Sequence, residues 1–446
     1  INQISPLIKT IKDKNIKVLS NAGGINPIEC KNILENIAKE SKISLNIATV
    51  IGDDLTTKIP KLKSLGIVEM EDNSKLPESY LSVNAYLGAP AIVEALSRGA
   101  DIVITGRCVD SALVLAPLMH EYKWTNSDYN LLASGSLAGH IIECGAHATG
   151  GNFTDWEAVS GFDNMGFPIV EVSSNGDFIV SKPEGTGGIV SKGSVSEQFL
   201  YEIGNPEAYI LPDVICDFRN VKITEIEENK VLVKGAKGFP PTRFYKVSAT
   251  YSEGYRLSAV MVLGGYNAVK KAKVASKAIF DKTKNIFKKM KWNDFTGTAE
   301  TILGTESIYG DNAEPSLKEK PREVALRLMA THEKKEALSL FSREMAQAAT
   351  GTVPGIMNFL GGRPSVSPDI RLFSFFIDKK SIEHFFSVND KKESFYLPSI
   401  EFNNRTYEEL ENGSYISNKI KLNKDNLVEV PLIKLAFARS GDKGDH

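Results

Sequence analysis

The segment APAIVEALSRGADIVITGR, residues 89–107, indicates the fold of the first part of the chain. Its first ten residues have apolar positions at helical spacing, and a short β-branched run then ends at Gly106 and Arg107. A helix that leads directly into such a strand is typical of a βαβ unit, in which parallel strands are joined by right-handed crossovers.

Two similar β-branched runs precede this segment and extend the pattern. They are IKVLSNAGG at residues 16–24 and ISLNIATVIGDDL at residues 43–55, and helical patterns follow over 27–39, 89–98 and 109–122. Alternating strands and helices predict an α/β domain built on a parallel sheet. We place this Rossmann-like domain at residues 1–155.

The middle of the chain changes to an α+β pattern, which we assign to residues 156–430. Hairpins are predicted in FPIVEVSSNGDFIVSKP, where Asn175 and Gly176 would supply the positive φ angles of a tight turn, and in VKITEIEENKVLVKGAK. A third strand pair is expected over 243–265, and helices over 269–291 and 323–349. Residues 431–446, a strand and the loop SGDKGD, are expected to begin a small C-terminal domain that this chain does not contain.

Composition restricts the class of function. The formal net charge is -2, and 42% of residues are hydrophobic, so there is no overall field for nucleic acid or anionic membranes. Lysines crowd residues 269–291, but apolar residues recur among them at the spacing of an amphipathic surface helix. Four cysteines without paired spacing suggest free thiols, and no run of about 18 apolar residues occurs. We therefore expect a cytoplasmic protein.

Polar residues at the strand ends are the first candidates for a ligand site, because parallel sheets bind ligands beyond the carboxyl ends of their strands. Arg107 could bind a carboxylate or phosphate, or pair with Asp110. Asp54 could act in catalysis or, with Asp53, bind a cation, but it could also cap a helix. The predicted contacts with substrate at these ends are Asn21, Gly23, Gly24, Asn26, Arg107 and Asp110.

The segment HIIECGAHATGGNFTDW, residues 140–156, concentrates reactive side chains in a chain with six histidines. His140, Glu143 and His147 would share one face of an unbroken helix, which allows either a metal site or acid–base chemistry. The glycines that follow make an unbroken helix doubtful. Cys144 could be a nucleophile or a small buried apolar residue. We interpret His140 and Glu143 as the acid–base pair and predict no metal.

Two glycine-rich loops complete the predicted site. The first is expected to close over a bound substrate, and the second to offer backbone amides, at Gly187 and Gly188, to a developing oxyanion together with Arg107. SNAGG at residues 20–24 and the second loop could each bind an anion or serve only as a turn, and neither matches the dinucleotide or P-loop fingerprint. The loop residues are Gly150, Gly151, Asn152 and Asp155 in the first, and Gly185, Thr186, Gly187 and Gly188 in the second.

Several blocks in order, including NAGG, IGDDL, the segment 84–113, the segment 139–156, PEGTGG and ARSGDKGD, resemble the acyclic terpene utilisation A family. The resemblance covers essentially the whole chain. It implies a catabolic context in which members accompany enzymes of acyl-CoA metabolism, including biotin-dependent carboxylases. Gln is common in that family where His147 stands, which weakens a metal site with three ligands.

We accordingly predict a catabolic enzyme that acts on an acyl-CoA thioester or a small branched or isoprenoid carboxylic acid, by addition, elimination or lyase chemistry without a cofactor. One alternative is a non-catalytic acyl-CoA-binding or assembly subunit of a biotin-dependent carboxylase. Another is a metal-dependent hydrolase. Expected partners are the small substrate, a carboxylase subunit or a separate C-terminal-domain protein, and further copies of the chain in a homo-oligomer, with no nucleic acid or membrane.

Overall fold

A computed structural model of the protein describes residues 1–316, 318–388 and 391–412. Contacts between Cα atoms divide the chain into two compact units. Unit one comprises Ile1–Asn73, Val83–Ser248 and the described residues from Ser374 onward, and unit two comprises Ser74–Ser82 and Ala249–Phe373. The predicted boundary at residue 155 lies within unit one and stays a prediction. The predicted segment 431–446 lies outside the described residues.

The helices and strands alternate along the first 150 residues, and strands predominate afterwards. The α-helices are α1 Ile8–Asp13, α2 Pro27–Glu40, α3 Ile59–Ser64, α4 Pro90–Ser97, α5 Ala112–Tyr122, α6 Tyr129–Glu143, α7 Lys192–Leu200, α8 Ala268–Met290, α9 Lys335–Gly351 and α10 Tyr407–Asn412. The strands are β1 Val18–Ser20, β2 Ile47–Ile51, β3 Ser82–Ala85, β4 Ile102–Thr105, β5 Ile169–Val172, β6 Phe178–Ser181, β7 Tyr209–Ile210, β8 Ile215–Asp217, β9 Lys222–Glu227, β10 Lys230–Lys234, β11 Lys237–Phe239, β12 Phe244–Gly264, β13 Gly297–Leu303, β14 Glu323–His332, β15 Ile356–Leu360, β16 Ser367–Asp378, β17 His384–Val388 and β18 Lys391–Phe395.

The predicted parallel sheet is confirmed in unit one. β4 lies between β1 and β2 and is parallel to both, and antiparallel β17 and β18 extend the sheet beyond β2. Every residue of β4 is buried, as expected for a central strand covered on both faces. Helices α2, α4 and α5 match their predicted ranges to within three residues. The ends of β1, β2 and β4 therefore meet at one edge of the sheet.

Both predicted antiparallel hairpins are also confirmed in unit one. β5 pairs with β6, and β10 pairs with β6 and β9, in a sheet of order β5-β6-β10-β9. The turn between β5 and β6 is longer than predicted, because the amide of Ser173 donates to the Asp177 carbonyl. Only Gly176 has positive φ there, at 88°, so the expected role of Asn175 is wrong.

The predicted third strand pair is wrong. Residues 244–264 form the single strand β12, whose residues 255–264 pair with β14 instead of folding back on its first half. The turn-like sequence at 252–254 misled the prediction, because Gly254 takes a φ of 74° within the extended chain without reversing it. Alternate apolar residues of β12 are buried along its length, as a strand with one covered face requires.

Two helices in unit two show where periodicity helps and where it fails. Helix α8 confirms the amphipathic prediction, and it buries Ile279 and Phe287 while its lysines face solvent. The predicted helix over 323–349 is half wrong. Its first ten residues form β14, in which every second side chain from Val324 onward is buried, and α9 begins only at Lys335. Among the described helices, none has an apolar stretch long enough to cross a bilayer.

Candidate functional site

A cavity of about 550 Å³ in unit one brings together several of the predicted residues; we call it the unit-one cavity. Apolar side chains from α5, α6, β1 and β5 form most of its wall, and polar side chains gather at the strand-end loops. Its lining residues are Lys17, Leu19, Asn21, Asp110, Leu113, Val114, Pro117, Leu118, Gly139, Ile142, Glu143, Val170 and Val172. Asn21, Asp110 and Glu143 were predicted from sequence.

Local sequence explains why the walls converge. On α5, Val114 and Leu118 lie one turn apart and so share a face of the helix. On β5, Val170 and Val172 are two residues apart and so point to the same face of the hairpin. Gly139 lets α6 approach the start of α5, because a Cβ at this position would lie 2.7 Å from the Ser111 Cα atom. A side chain at Gly139 would therefore push the two helices apart and alter the floor of the cavity.

The polar end of the cavity follows β1 and β4. The Asn21 side chain donates to Asp110 Oδ1 at 2.6 Å beyond these strands. Lys17 precedes β1 at the opposite end, where its Nζ lies 2.9 Å from Asp101 Oδ1. The Arg107–Asp110 pair, one of the two alternatives for Arg107, does not form, since Asp110 is engaged by Asn21 instead. Asn21 retains a second side-chain N–H that could donate to a bound carboxylate or carbonyl.

His140 and Glu143, the predicted acid–base pair, lie together in the last turn of α6. His140 is 1% exposed, and its Nδ1 lies 3.2 Å from Glu143 Oε1. This is ion-pair distance without hydrogen-bond alignment, so Nδ1 has no hydrogen-bond partner within the described part of the chain. A buried polar atom left without a hydrogen bond is unusual in native proteins and points to a functional role.

The other ring nitrogen of His140 fixes the orientation of the imidazole. His140 Nε2 lies 2.9 Å from the backbone carbonyl oxygen of Gln198, and a carbonyl only accepts hydrogen bonds. Nε2 therefore carries a hydrogen. In the neutral ring, Nδ1 then carries a lone pair 3.2 Å from Glu143 Oε1, and a change in side-chain angle would align the two groups for proton transfer.

Gln198 on α7 links both histidines and is a residue that sequence reasoning missed. Its side-chain nitrogen donates to the His140 carbonyl at 2.7 Å, and its Oε1 lies 2.6 Å from His147 Nδ1. Gln198 and both histidines are buried. Nothing in the local sequence of α7 distinguishes Gln198 from a solvent-facing residue, because its partners are more than 50 positions away.

Tyr209 is a second residue that the sequence did not indicate. Its ring lies 6.0 Å from that of His140, centroid to centroid. Burial raises the pKa of the Tyr209 hydroxyl above its usual value, and the charge of nearby Glu143 adds to that effect. Tyr209 therefore stays protonated near neutral pH and supplies an O–H donor close to the acid–base pair.

The remaining strand-end candidates have structural contacts in this structure. Asn26 caps α2, since its Oδ1 accepts from the Glu29 amide, and Gly23 and Gly24 form the turn before it. Asp54 is exposed, and its Oδ1 accepts from the Thr56 amide beside a 3-10 turn whose N-cap is Leu55, so Asp54 is not the N-cap of that turn. None of the four lines the unit-one cavity.

Asp53, beside Asp54, is the buried carboxylate of the strand-end loops. It accepts hydrogen bonds from the Asn84 side chain at 2.9 Å and the Arg107 amide at 2.7 Å. Burial raises its pKa, and these hydrogen bonds oppose the rise. Asp53 thus joins the loops after β2 and β4 and limits the space at Gly106, where a Cβ would lie 1.9 Å from Asp53 Oδ1.

The Arg107 side chain is exposed, and its guanidinium carbon lies 5.6 Å from the centre of the Tyr86 ring. This stacking is a cation–π contact of the kind Arg favours. Arg107 does not line the unit-one cavity, so the structure does not place it with Glu143.

The two glycine-rich loops pack against each other instead of lining the cavity. The Ile189 amide donates to the Thr149 carbonyl, beside Gly150 and Gly151, and a Cβ at Gly188 would lie 2.5 Å from that oxygen. The predicted oxyanion donors are wrong in this structure: the amides of Gly187 and Gly188 already donate to the carbonyls of Asn164 and Ser160, each at 2.8 Å.

The other loop residues occupy turns around this contact. Asn152 has a φ of 52°, and the Asp155 carbonyl accepts from the Ala158 amide in a short 3-10 turn. The Thr186 hydroxyl donates to the Pro183 carbonyl, and Gly185 has a φ of 72°. These observations give the loops a structural role, and their contact with a substrate stays a prediction.

The structure does not support a shared helical face for His140, Glu143 and His147. α6 ends at Glu143, Cys144 follows it, and His147 begins a separate 3-10 turn. Within the described residues, no group of three His, Cys, Asp or Glu side chains is placed to hold a metal ion. Cys144 is half-buried and does not line the unit-one cavity, so its proposed role as a nucleophile gains no support there.

Replacing Gln198 with Leu is expected to lower the free energy of unfolding by about 2–4 kcal/mol, because it leaves His147 Nδ1 and the His140 carbonyl buried without their partner. Urea unfolding of the variant measures this change. Gln347→Leu is the matched control, since Gln347 is exposed on α9 and should change stability by less than about 0.5 kcal/mol. Equal stabilities of the two variants would show that the Gln198 bridge contributes nothing.

Comparison with known proteins gives one match. The family model described as "Acyclic terpene utilisation family protein AtuA" matches residues 1–388, which include all of unit two, unit one as far as residue 388 and every residue that lines the unit-one cavity. No curated protein and no solved structure matches the chain.

Proposed function

This chain belongs to the acyclic terpene utilisation family AtuA, and we propose that it is a catabolic enzyme acting on a small branched or isoprenoid carboxylic acid or its acyl-CoA thioester. The family is implicated in acyclic terpene utilisation, in keeping with a catabolic role. The reaction we propose is acid–base chemistry of the addition, elimination or lyase type.

One observation carries this proposal: Glu143 faces an apolar cavity with the unsatisfied Nδ1 of His140 directly behind it. The Glu143 side chain is 18% exposed, whereas His140 is enclosed. A ligand in the unit-one cavity can therefore reach the carboxyl group but not the imidazole. This arrangement suits a base that takes a proton from the substrate and a second group that receives or returns it.

The cavity walls support the choice of substrate. Leu113, Val114, Pro117 and Leu118 present branched or cyclic aliphatic surface, which excludes water from a hydrocarbon chain of similar shape. A volume of about 550 Å³ accommodates a small molecule. Asn21 at the polar end provides an N–H donor for the carboxylate or thioester carbonyl of that molecule.

The proposed elimination begins when the Glu143 carboxylate removes a proton from the carbon next to the carboxyl or thioester carbon. The electron pair of that C–H bond moves toward the carbonyl oxygen, where Asn21 can donate a hydrogen bond to it. It then returns to form a carbon–carbon double bond while the β-hydroxyl takes up the proton held by Glu143 and leaves as water. Addition of water is the same sequence in reverse.

Deuterium exchange tests this proposal without knowledge of the natural substrate. The intact protein is incubated in D₂O with branched short-chain acids and their CoA thioesters, and deuterium at the α-carbon is followed by mass spectrometry. We expect exchange that depends on the protein and exceeds that of buffer. A ligand that stabilises the protein thermally but shows no exchange would contradict an acid–base reaction.

Stabilisation without exchange would favour the alternative, a non-catalytic acyl-CoA-binding or assembly subunit that partners a biotin-dependent acyl-CoA carboxylase. The observation in its favour is a short segment with three exposed aromatic side chains: Trp156, Phe162 and Phe167 are 60%, 54% and 67% exposed. Aromatic residues are enriched at protein interfaces. The metal-dependent hydrolase has no equivalent support, because the described residues offer no set of ligands.

Narrowing the unit-one cavity should weaken substrate binding while leaving the protein folded. We expect Val114→Phe to raise the KM for a branched substrate by about tenfold or more, because the larger ring fills space that the hydrocarbon chain would occupy. The control is Ile226→Phe, an exposed position of β9 outside the cavity, which should leave KM unchanged. An unaltered KM in Val114→Phe would place the substrate elsewhere.

A further inference from the structure

A second cavity, of about 630 Å³, lies within unit two; we call it the unit-two cavity. Its lining combines the beginning of α9, residues 363–366 and the indole of Trp292. We propose that this cavity binds a small phosphorylated anion of the nucleoside diphosphate class, held by Lys335, Arg343 and Arg363. The proposal is independent of the function assigned to unit one.

Unbalanced positive charge is the first observation behind it. Lys335, Arg343 and Arg363 line the cavity with a single carboxylate, that of Glu336. None of these three cations forms an ion pair with a carboxylate of the described residues. On the opposite side of α9, by contrast, Glu344 pairs with Lys282 at 2.6 Å. A concave surface with excess positive charge attracts anions even though the chain as a whole has a net charge of -2.

The cations are also held in a defined arrangement. Lys335, Ser339 and Arg343 follow one another at intervals of four residues on α9 and so lie on the same side of the helix. Arg363 comes from the segment before β16, which is tied to the helix where the buried Ser342 hydroxyl donates to the Pro364 carbonyl at 2.7 Å. Two guanidinium groups and an ammonium therefore approach one space from two elements.

The chemistry of the lining selects the ligand class. Guanidinium groups bind phosphate through two parallel hydrogen bonds, and two arginines with a lysine suit two adjacent phosphates. Trp292, Pro364 and Val366 add an apolar wall beside these charges. Lys334 Nζ lies 5.9 Å from the centre of the Trp292 ring and contributes further positive charge. A nucleoside diphosphate fits both features of the cavity, because its nucleoside can pack on the apolar wall while its two phosphates contact the cations.

Calorimetric titration of the full chain with adenosine diphosphate, inorganic pyrophosphate and inorganic phosphate tests the proposal. We expect adenosine diphosphate to bind most tightly, pyrophosphate less tightly and phosphate least, with affinity falling as salt is added. Arg343→Gln and Arg363→Gln should each weaken the binding of adenosine diphosphate by about tenfold or more. Arg322→Gln removes the same charge from unit two outside the cavity and should leave affinity unchanged.

Loss of binding can be distinguished from loss of folding in these variants. Arg343 and Arg363 are exposed, so both variants should unfold at the same temperature as the wild type. Absence of binding by the wild type at millimolar concentrations would overturn the proposal. So would wild-type affinity in both arginine variants. Equal affinities for adenosine diphosphate and pyrophosphate would overturn the nucleoside part, since the wall at Trp292 would then contribute nothing.

Discussion

Replacing Glu143 with Gln is expected to lower turnover, or α-carbon deuterium exchange, by about 10²–10⁴-fold, the usual contribution of a positioned acid or base. The amide is nearly the same size as the carboxylate, but it is too weak a base to take a proton from carbon. Ligand binding should persist, because the apolar walls of the unit-one cavity are unchanged. The loss should therefore appear in kcat, with KM altered by less than about threefold.

His140, the other residue of the acid–base pair, should affect both turnover and its dependence on pH. In His140→Asn, the group behind Glu143 can no longer take or return a proton, so we expect a loss of similar size together with a changed pH–rate profile. A purely structural role for His140 would lower stability without altering that profile. Measurement of both variants across pH distinguishes the two roles.

The control for Glu143→Gln is Glu121→Gln, which removes an exposed carboxylate near the end of α5 outside the cavity lining. Its turnover should equal that of the wild type. Full activity in both Glu143→Gln and His140→Asn, on a substrate that the wild type converts, would show that the chemistry takes place elsewhere in the protein.

Sequence reasoning predicted local structure best where one physical signal dominates. The β-branched run of β4 indicated a strand, and the Asn175-Gly176 sequence between β5 and β6 indicated a hairpin; the structure confirms both elements. β14 shows the opposite case. Its residues favour helix by propensity, yet pairing with β12 on one side and β13 on the other makes it a strand. Such pairing depends on distant residues and overrides local preference.

The candidate site divides along the same line. His140 and Glu143 could be predicted, because both are reactive residue types one helical turn apart. Gln198 could not, since a glutamine in an ordinary helix has no distinguishing local pattern until α7 packs against α6. The amides of Gly187 and Gly188 failed for a related reason: whether a backbone N–H is free depends on which carbonyl the folded chain places opposite it.

Acid should destabilise the protein through His384, which is 3% exposed at the start of β17. Its Nε2 lies 3.3 Å from the Tyr245 hydroxyl, within hydrogen-bond distance. Burial lowers the pKa of His384 to about 4 from its ordinary 6.5, and the positive charges of Lys58 and Lys379 add to the effect.

The sign follows from proton binding. Between pH 6.5 and 4, His384 binds a proton in the unfolded chain but not in the folded one, so the free energy of unfolding falls as the pH is lowered through this interval. The full loss is about 3 kcal/mol, since each pKa unit corresponds to about 1.36 kcal/mol. Below pH 4 this group causes no further change. The raised pKa values of Asp53 and Asp213 act in the opposite direction, because those carboxyl groups bind protons more readily in the folded chain.

Comparison of wild type with His384→Gln isolates the histidine from those carboxyl groups. Gln keeps an acceptor for Tyr245 but does not titrate, so urea unfolding of the variant should lose less stability between pH 6.5 and 4 than the wild type, by about 3 kcal/mol. His120→Gln, a partly exposed position on α5, should retain the wild-type dependence on pH. The comparison uses the change in the free energy of unfolding with pH, because the absolute stability of His384→Gln also reflects altered packing at the site of the buried ring. If wild type and His384→Gln lost stability in parallel, His384 would not be buried as a neutral ring.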